Sequence, residues 1–433
     1  MILEIVGLAL IGVLLSICLW GLYNILILAI GVRDFRRSRL KSQKKTFSNE
    51  RLPTFSIIVP AKNEEKVVGR LLNALSKLNY PVNKRETIIV EDGSTDGTSD
   101  ICISHAKQHE GFKVLQRSIS NGKPSALNYA LEHAKGDIIA VFDADNVPDS
   151  NALMAVLEYF EDPTVAAVQG KTLSINSKEN MLTQLISYEE AVWCEAYLRG
   201  KDLLNLFVHL KGSCQFIRRD ILQRMEGFNE TVLSEDMEIS AKLTENNYTI
   251  RYASDVIAWQ ETPPNFKTLF KQRTRWFRGT MEVALKYGRL MARPRKKNFD
   301  AEATLFGPFM LIASLMPYTA MLWALFTVLP FDALWQITVQ FATLTTTLTM
   351  LICGVALIYV SKPRRAKNVL WLPFIYFYWI FQAFVALYAA LLIVFRRPRR
   401  WLKTEKRGVT NPKFIMTNPL CKSRALYGDD DNN

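Results

Sequence analysis

Histidine is scarce in this 433-residue chain, with four copies, and cysteine is little better represented, with six. Cys18, Cys102, Cys194, Cys214, Cys353 and Cys421 are scattered, with no C-x-x-C pair and no Cys/His cluster. Such spacing argues against structural zinc and against a disulfide-built scaffold. There is no internal repeat, no collagen period and no shortage of apolar residues of the kind that keeps a chain disordered; 49% are hydrophobic. The first segment also lacks a basic run before its apolar core and a small-x-small cleavage site, so it does not read as a signal peptide. The chain does carry 54 Lys+Arg against 41 Asp+Glu, a formal net charge of +13. Its mean hydropathy of +0.04 hides a strong segregation, with apolar residues concentrated at the two ends. The excess basic charge hugs those apolar segments. It therefore reads as contact with anionic lipid, not with nucleic acid.

Ile2 to Ile30, and roughly Leu305 to Leu329, Trp335 to Val360 and Val369 to Phe395, each exceed the ~20 residues that span a hydrocarbon core. One such segment alone reads equally as a buried core helix. Four with basic flanks predict membrane insertion: an N-terminal transmembrane helix over 1–31 and a C-terminal transmembrane region of about three segments over 304–396. A basic, then acidic, cytosolic tail is expected over 397–433. Arg33, Arg36, Arg37, Arg39, Lys41, Lys44 and Lys45 follow the first segment, which the positive-inside rule places in the cytosol. Residues 50–300 are then cytosolic, in an integral cell membrane protein. Three simple spans from Lys296-Lys297 would strand Arg396, Arg397, Arg399, Arg400 and Lys403 outside, and the loop Lys362-Pro363-Arg364-Arg365 also looks cytoplasmic. One segment is therefore expected to be re-entrant or interfacial, with Gly307-Pro308, Pro317 and Pro373 as break points.

Between the ends lies an α/β pattern. Thr54 to Pro60, Thr87 to Val90, Val114-Leu115 and Asp137 to Phe142 read as buried strands separated by helical stretches. The pattern predicts an open, largely parallel sheet. Asn63 is expected to cap the helix after the first strand, whose apolar face is Val67, Val68, Leu71, Leu72 and Leu75. Such sheets bind ligands beyond the carboxyl ends of their strands. Three polar clusters fall there: Lys62 to Glu65, Asp92 to Asp96, and Asp143 to Asp145.

Asp143-Ala144-Asp145 brings two carboxylates onto one turn after a buried strand, a pattern that holds Mg²⁺ or Mn²⁺ with positions left for phosphate oxygens. A turn or helix cap is the plain alternative, as is an Asx-turn for Asp92-Gly93-Ser94. Ser234-Glu235-Asp236 reads as an N-cap with acidic residues in the first turn. A carboxylate so placed also serves as general base toward a hydroxyl. The basic amphipathic stretch Lys267 to Met291 reads as an interfacial helix, within residues 263–300 that lie along the cytosolic leaflet. Inside it, Gln272-Arg273-Thr274-Arg275-Trp276 offers a guanidinium for a diphosphate and an indole for a sugar face, or simply a membrane anchor.

The ordered set Val59-Pro60-Ala61-Lys62-Asn63-Glu64, Asp92-Gly93-Ser94, Gly122-Lys123, Asp143-Ala144-Asp145, Ser234-Glu235-Asp236 and Gln272-Arg273-Thr274-Arg275-Trp276 resembles membrane-embedded, processive family-2 glycosyltransferases with a GT-A catalytic domain. Bacterial poly-N-acetylglucosamine, hyaluronan, chitin-oligosaccharide and cellulose synthases are of this kind. The resemblance covers roughly residues 50–290 and implies a GT-A domain over 50–262, inserted between transmembrane helices. It implies donor-nucleotide contacts from Pro60, Glu64, Asp92, Lys123, Asp143 and Arg275. It implies metal coordination by Asp145 with Asp143, a catalytic Asp236 beside Glu235, and acceptor contacts from Trp276 and Gln272. The implied activity is inverting hexosyl transfer from UDP-N-acetylglucosamine or another UDP-hexose to a growing β-linked polysaccharide, with export. The alternative is addition of one sugar to a lipid-linked or glycolipid acceptor. Expected partners are the nucleotide sugar, the glycan acceptor, membrane lipids and an accessory membrane subunit. Departures from the pattern are Ser234 in place of a threonine, one N-terminal span where several relatives have two, Gly212-Ser213-Cys214 in the acceptor loop, and no regulatory nucleotide-binding module.

Overall fold

The computed structural model describes residues 2–38, 52–324, 326, 333–360, 370–399 and 404–408. Arg39, Lys41, Lys44, Lys45, Leu329, the loop Lys362 to Arg365, Val369, Arg400, Lys403, Cys421 and the acidic tail lie outside the described residues. The chain forms two compact units. One gathers residues 1–40, 191–206 and 270–400, and the other residues 41–190, 207–269 and 401–433.

Helix α1 spans Ile2–Ser38. The second unit then runs β1 Phe55–Ala61, α2 Val68–Ser76, β2 Arg85–Asp92, α3 Thr98–Gln108, β3 Phe112–Arg117, α4 Lys123–His133, β4 Ile138–Val141, β5 Val147–Pro148, α5 Ala152–Val156, β6 Val165–Ser174 and α6 Met181–Val192. A π-helical turn at Trp193–Leu198 leads into α7 Arg199–Leu203. The sheet unit resumes with β7 Gln215–Arg218, α8 Arg219–Arg224, α9 Glu235–Glu245 and β8 Thr249–Gln260. Helices α10 Phe266–Tyr287, α11 Lys296–Leu305, α12 Gly307–Ala313, α13 Leu315–Ala324, α14 Ala333–Val360 and α15 Leu372–Val394 follow.

The eight strands form one sheet in the order β3-β2-β1-β4-β7-β6-β8-β5. Strands β3, β2, β1 and β4 are mutually parallel, as expected. Beyond β4 the sheet is mixed. β7 is antiparallel to both β4 and β6, β6 is parallel to β8, and β5 pairs antiparallel at the edge. β1 and β4 are covered on both faces, which is why they read as unbroken apolar runs rather than alternating ones. Phe55, Ile57 and Val59 of β1 join Val68, Leu71, Leu72 and Leu75 of α2 in the core. Pro60 sits past the last β1–β4 pair, where its missing N–H costs no ladder bond on that side.

Asn63 does not cap α2. The helix starts five residues later, at Val68, with Val67 at the cap position. Asn63 adopts φ 53° and turns its side chain to the neighbouring loop, accepting from the Thr95 N–H at 2.7 Å. Asparagine tolerates this left-handed conformation, and the bond locks the β1 loop to the β2 loop.

In the helical unit, three helices among the described residues are long and apolar enough to cross a membrane: Ile11–Phe35, Trp335–Leu357 and Leu372–Val394. The segment read as Leu305 to Leu329 is different. It breaks at Phe306, where Gly307-Pro308 start α12, and again at Ser314. Pro317, a suggested break point, lies within α13, and Pro373 falls in the first turn of α15, where its missing N–H is harmless. Residues 191–206 belong with these helices, an excursion that the sequence pattern did not reveal. α1 and this excursion touch backbone to backbone. A Cβ on Gly31 would lie 1.8 Å from the Ala196 carbonyl oxygen, and one on Gly200 would lie 2.2 Å from that of Ile27. Fully buried Lys201 binds both Asp300 oxygens at 3.0 and 2.9 Å, while Tyr23 donates to Asp300 at 2.8 Å, tying α7, α11 and α1 together.

Candidate active site

The parallel half of the sheet delivers β1, β2 and β4 to one edge, so their terminal loops gather there. Asp143 and Asp145 leave β4, and Lys123 opens α4 after Gly122, whose φ of 92° only glycine adopts readily. A lysine at a helix N-terminus has the wrong sign for the helix dipole. Here carboxylates override that. Its ammonium lies 2.7 Å from Asp143 and 3.3 Å from Glu235, and donates to the Gly212 carbonyl at 2.8 Å. Burial opposes its charge, but Asp143, Glu235 and Asp236 outweigh burial and hold Lys123 above the usual lysine range.

Glu235 and Asp236 occupy the first turn of α9, with Ser234 at the cap position but without a side-chain cap bond. Glu235 is buried, whereas Asp236 is partly accessible. The Met237 N–H donates to Asp236 Oδ1 at 2.8 Å. Gly212 closes the other side at φ 77°, and a Cβ there would meet both Asp236 Oδ2 and Lys123 Nζ at 3.1 Å. Ser213 secures this loop to the β4 turn: its hydroxyl accepts from the Asp143 N–H at 2.9 Å and donates to Asn146 Oδ1 at 2.7 Å.

Asp143 is the more exposed carboxylate of the pair. Burial pushes its pKa up and Lys123 pulls against it, leaving it raised. Asp145 is buried and shifted the other way. Burial would raise it, but Lys406 Nζ at 2.6 Å, the Glu261 N–H at 3.1 Å and the charge of Arg70 together hold it below the ordinary carboxylate range. Lys406 also donates to the Glu261 carbonyl at 3.0 Å, and Arg70 bridges Glu261 Oε1 and the Asp145 carbonyl. Arg407 continues the contact, its N–H on Glu261 Oε2 at 3.0 Å. The loop Thr404 to Gly408 thus lies against the acidic turn.

These carboxylates fit a divalent cation. Both are hard oxygen donors one residue apart, and each already holds an ammonium. Among the described residues no three His, Cys, Asp or Glu close round one point.

Asp92, expected at the nucleotide, is buried at the end of β2. It accepts from Ser120 Oγ at 2.5 Å and pairs with Arg117 at 3.4 Å. Pro60 and Glu64 flank it at the end of β1, where the Glu64 N–H donates to Thr98 Oγ1 at 2.7 Å. Gln272, Arg275 and Trp276 lie on α10 in the helical unit, where the Arg273 guanidinium sits 4.5 Å above the Trp276 ring.

Sequence reasoning missed Lys406, Glu261 and Arg70. Only the basic run Lys403 to Arg407 hinted at Lys406, and it reads as a membrane flank. The family described as Glycosyltransferase like family 2 matches residues 53–279, more than half of the chain. The chain belongs to that family. Among family-2 relatives it is 34% identical over 70% of its length to a β-monoglucosyldiacylglycerol synthase from a Nostoc species. It is 28% identical over 62% of its length to the poly-β-1,6-N-acetyl-D-glucosamine synthase of Staphylococcus epidermidis. The matches span 65% and 63% of those two proteins. A solved mannosyltransferase from Pyrobaculum calidifontis, in complex with GDP-Man and Mn²⁺, matches 90% of this chain and 100% of its own, with a TM-score of 0.56 and 20% identity. The glycosyltransferase fold is therefore of the GT-A type, with a mixed sheet and flanking apolar helices.

Proposed function

We propose that this protein is an inverting hexosyltransferase of the membrane, with residues 50–262 as its cytosolic catalytic domain. It takes a sugar from a nucleotide-diphosphate donor, with UDP-N-acetylglucosamine or another UDP-hexose as first candidate. The observation that carries the reading is the cluster of Lys123 with Asp143, Glu235 and Asp236, beside Asp145 with Lys406. It sets cations and a paired-carboxylate turn for a diphosphate next to one accessible carboxylate for an acceptor.

In the reaction, an acceptor hydroxyl loses its proton to Asp236 as its oxygen bonds to the anomeric carbon, and the bond from that carbon to the diphosphate oxygen breaks. One base and direct displacement invert an α-linked donor to a β-linked product. Glu235 stays buried on Lys123 and fixes the ammonium, so that Asp236 alone faces the acceptor. Lys123 and Lys406 supply positive charge where the diphosphate leaves. Asp143 and Asp145 would hold Mg²⁺ or Mn²⁺, which neutralises diphosphate charge when bound. Lys406 would then exchange its carboxylate partner for phosphate oxygens. Asp92, Pro60 and Glu64 would bound the nucleotide, and Arg275, Gln272 and Trp276 the departing diphosphate and the acceptor.

The first acceptor reading is a growing polysaccharide, exported as it lengthens, supported by the Gln272-to-Trp276 motif and the apolar helices after it. The second is a diacylglycerol or glycolipid, supported by the glucosyldiacylglycerol relative. The experiment is a screen of nucleotide-sugar donors on purified protein, with mass analysis of the products. A long soluble polymer supports the first acceptor, and a single hexose on lipid supports the second. No donor-dependent release of nucleoside diphosphate would overturn the reading.

A further inference from the structure

Helix α15 is apolar along almost its whole length, yet it carries one amide, Gln382, which is 3% exposed. Gln382 Nε2 donates to the hydroxyl of Tyr378, one turn earlier, at 2.8 Å. Gln382 Oε1 is buried and accepts no hydrogen bond among the described residues. Arg273 of α10 points a guanidinium nitrogen to within 3.5 Å of the same Tyr378 hydroxyl, while its plane lies over Trp276. The two helices pack closely around this line. Phe270 meets Phe381 and Tyr388 at ring separations of 6.5 and 5.2 Å, and Met281 packs with Ala386 and Ala389.

An unpaired buried carbonyl is destabilising, and a leucine or methionine would fill the same space without that cost. Glutamine inside helices of this apolarity commonly hydrogen-bonds across a helix seam, and among the described residues this oxygen has no such partner. The missing partner of Oε1 must be a donor, and a neutral hydroxyl is the donor that suits a neutral amide oxygen in such surroundings. As placed, the amide gives its NH₂ to Tyr378 and leaves its oxygen over.

We propose that Tyr378 and Gln382 form a hydroxyl-recognising acceptor subsite, with Gln382 Oε1 accepting from an O–H of the bound acceptor and Trp276 stacking beside the Arg273 bridge. The ligand chemistry is a polyol, supplied either by a sugar ring or by the glycerol hydroxyl of a diacylglycerol. The proposal rests on the acceptor role of Trp276 given above.

The test compares Gln382→Met with wild type in the full-length protein. Transfer kinetics are measured in two arms, with a soluble oligosaccharide and with dispersed diacylglycerol, alongside equilibrium binding of each acceptor and of the nucleoside diphosphate. In the arm that wild type uses, acceptor KM and Kd should rise about five- to tenfold, the loss of one neutral hydrogen bond. Nucleotide affinity should stay within twofold and thermal stability should not fall. Gln382→Glu, which keeps an acceptor oxygen there, should recover most of the acceptor affinity. Unchanged acceptor KM and Kd in both arms would overturn the subsite, and so would a fall in stability that lowers nucleotide and acceptor affinity together. Failure of the broader reading shows separately, as a wild-type protein that binds neither acceptor, and the subsite falls with it.

Discussion

Replacing Lys123 by methionine would test the electrostatic centre of the catalytic unit. The substitution keeps length and apolar bulk but leaves Asp143 and Glu235 without the ammonium that stands 2.7 and 3.3 Å from them. At an effective dielectric near 20, each contact is worth roughly 5–6 kcal/mol before desolvation. Removing one partner of a buried pair costs about 3–5 kcal/mol in practice. Asp143 is 36% exposed, so solvent screening brings the expectation to about 2–3 kcal/mol at pH 8. For a unit of this size that lowers Tm by about 5–10 °C. The deficit should shrink on acidification. Burial already raises Asp143, and without Lys123 it rises further, so the folded variant binds protons that its unfolded chain does not. Stability relative to wild type then recovers as pH falls through the raised folded value toward the ordinary carboxylate range. Thermal denaturation of both proteins in detergent from pH 8 to pH 5 reads this directly. A deficit below 1 °C, or one that is constant or larger in acid, would refute the reasoning.

Asp236→Asn should bind nucleoside diphosphate as wild type does but lose ~10²–10⁴ in transfer rate, as removal of a general base does; loss of nucleotide affinity with retained turnover would contradict its role. EDTA should abolish transfer, and Mg²⁺ or Mn²⁺ should restore it, measured as nucleoside diphosphate release. Gly212→Ala should lower kcat more than donor affinity and destabilise by about 1 kcal/mol, since the new methyl presses on Asp236 and Lys123 at 3.1 Å in a left-handed backbone. Full activity in that variant would show that the loop yields freely.

The catalytic half was legible where chemistry is local. β1, β2 and β4 are buried on both faces and so announce themselves as apolar runs, and the acidic turns follow directly in sequence. Two kinds of feature left no such trace. The antiparallel return of β7 depends on pairing with strands distant in the chain, and residues 191–206 carry no run long enough to mark them as partners of the N-terminal helix. Lys406 lies 261 residues from Asp145, so nothing near either residue signals the pair. Asn63 was misassigned because a capping residue and a left-handed loop residue have the same composition; only the long-range bond to Thr95 separates them.

The tie among Tyr23, Lys201 and Asp300 sets a schedule for biosynthesis. Tyr23 and Asp300 are 277 residues apart. At about 5–20 residues per second, Tyr23 is made roughly 15–55 s before Asp300 exists. In that interval the Tyr23 hydroxyl lacks its carboxylate, although residues 191–206 are made in time to meet Gly31. Lys201 then emerges as a bare cation, and Asp300 follows 99 residues later. The nascent chain therefore passes through a stage in which the helical unit holds an unmatched charge. This tie closes only when α11 arrives, long after the strands and acidic turns that precede it have been synthesised, and α14, which packs on Leu14, Ile17 and Cys18 of α1, is later still.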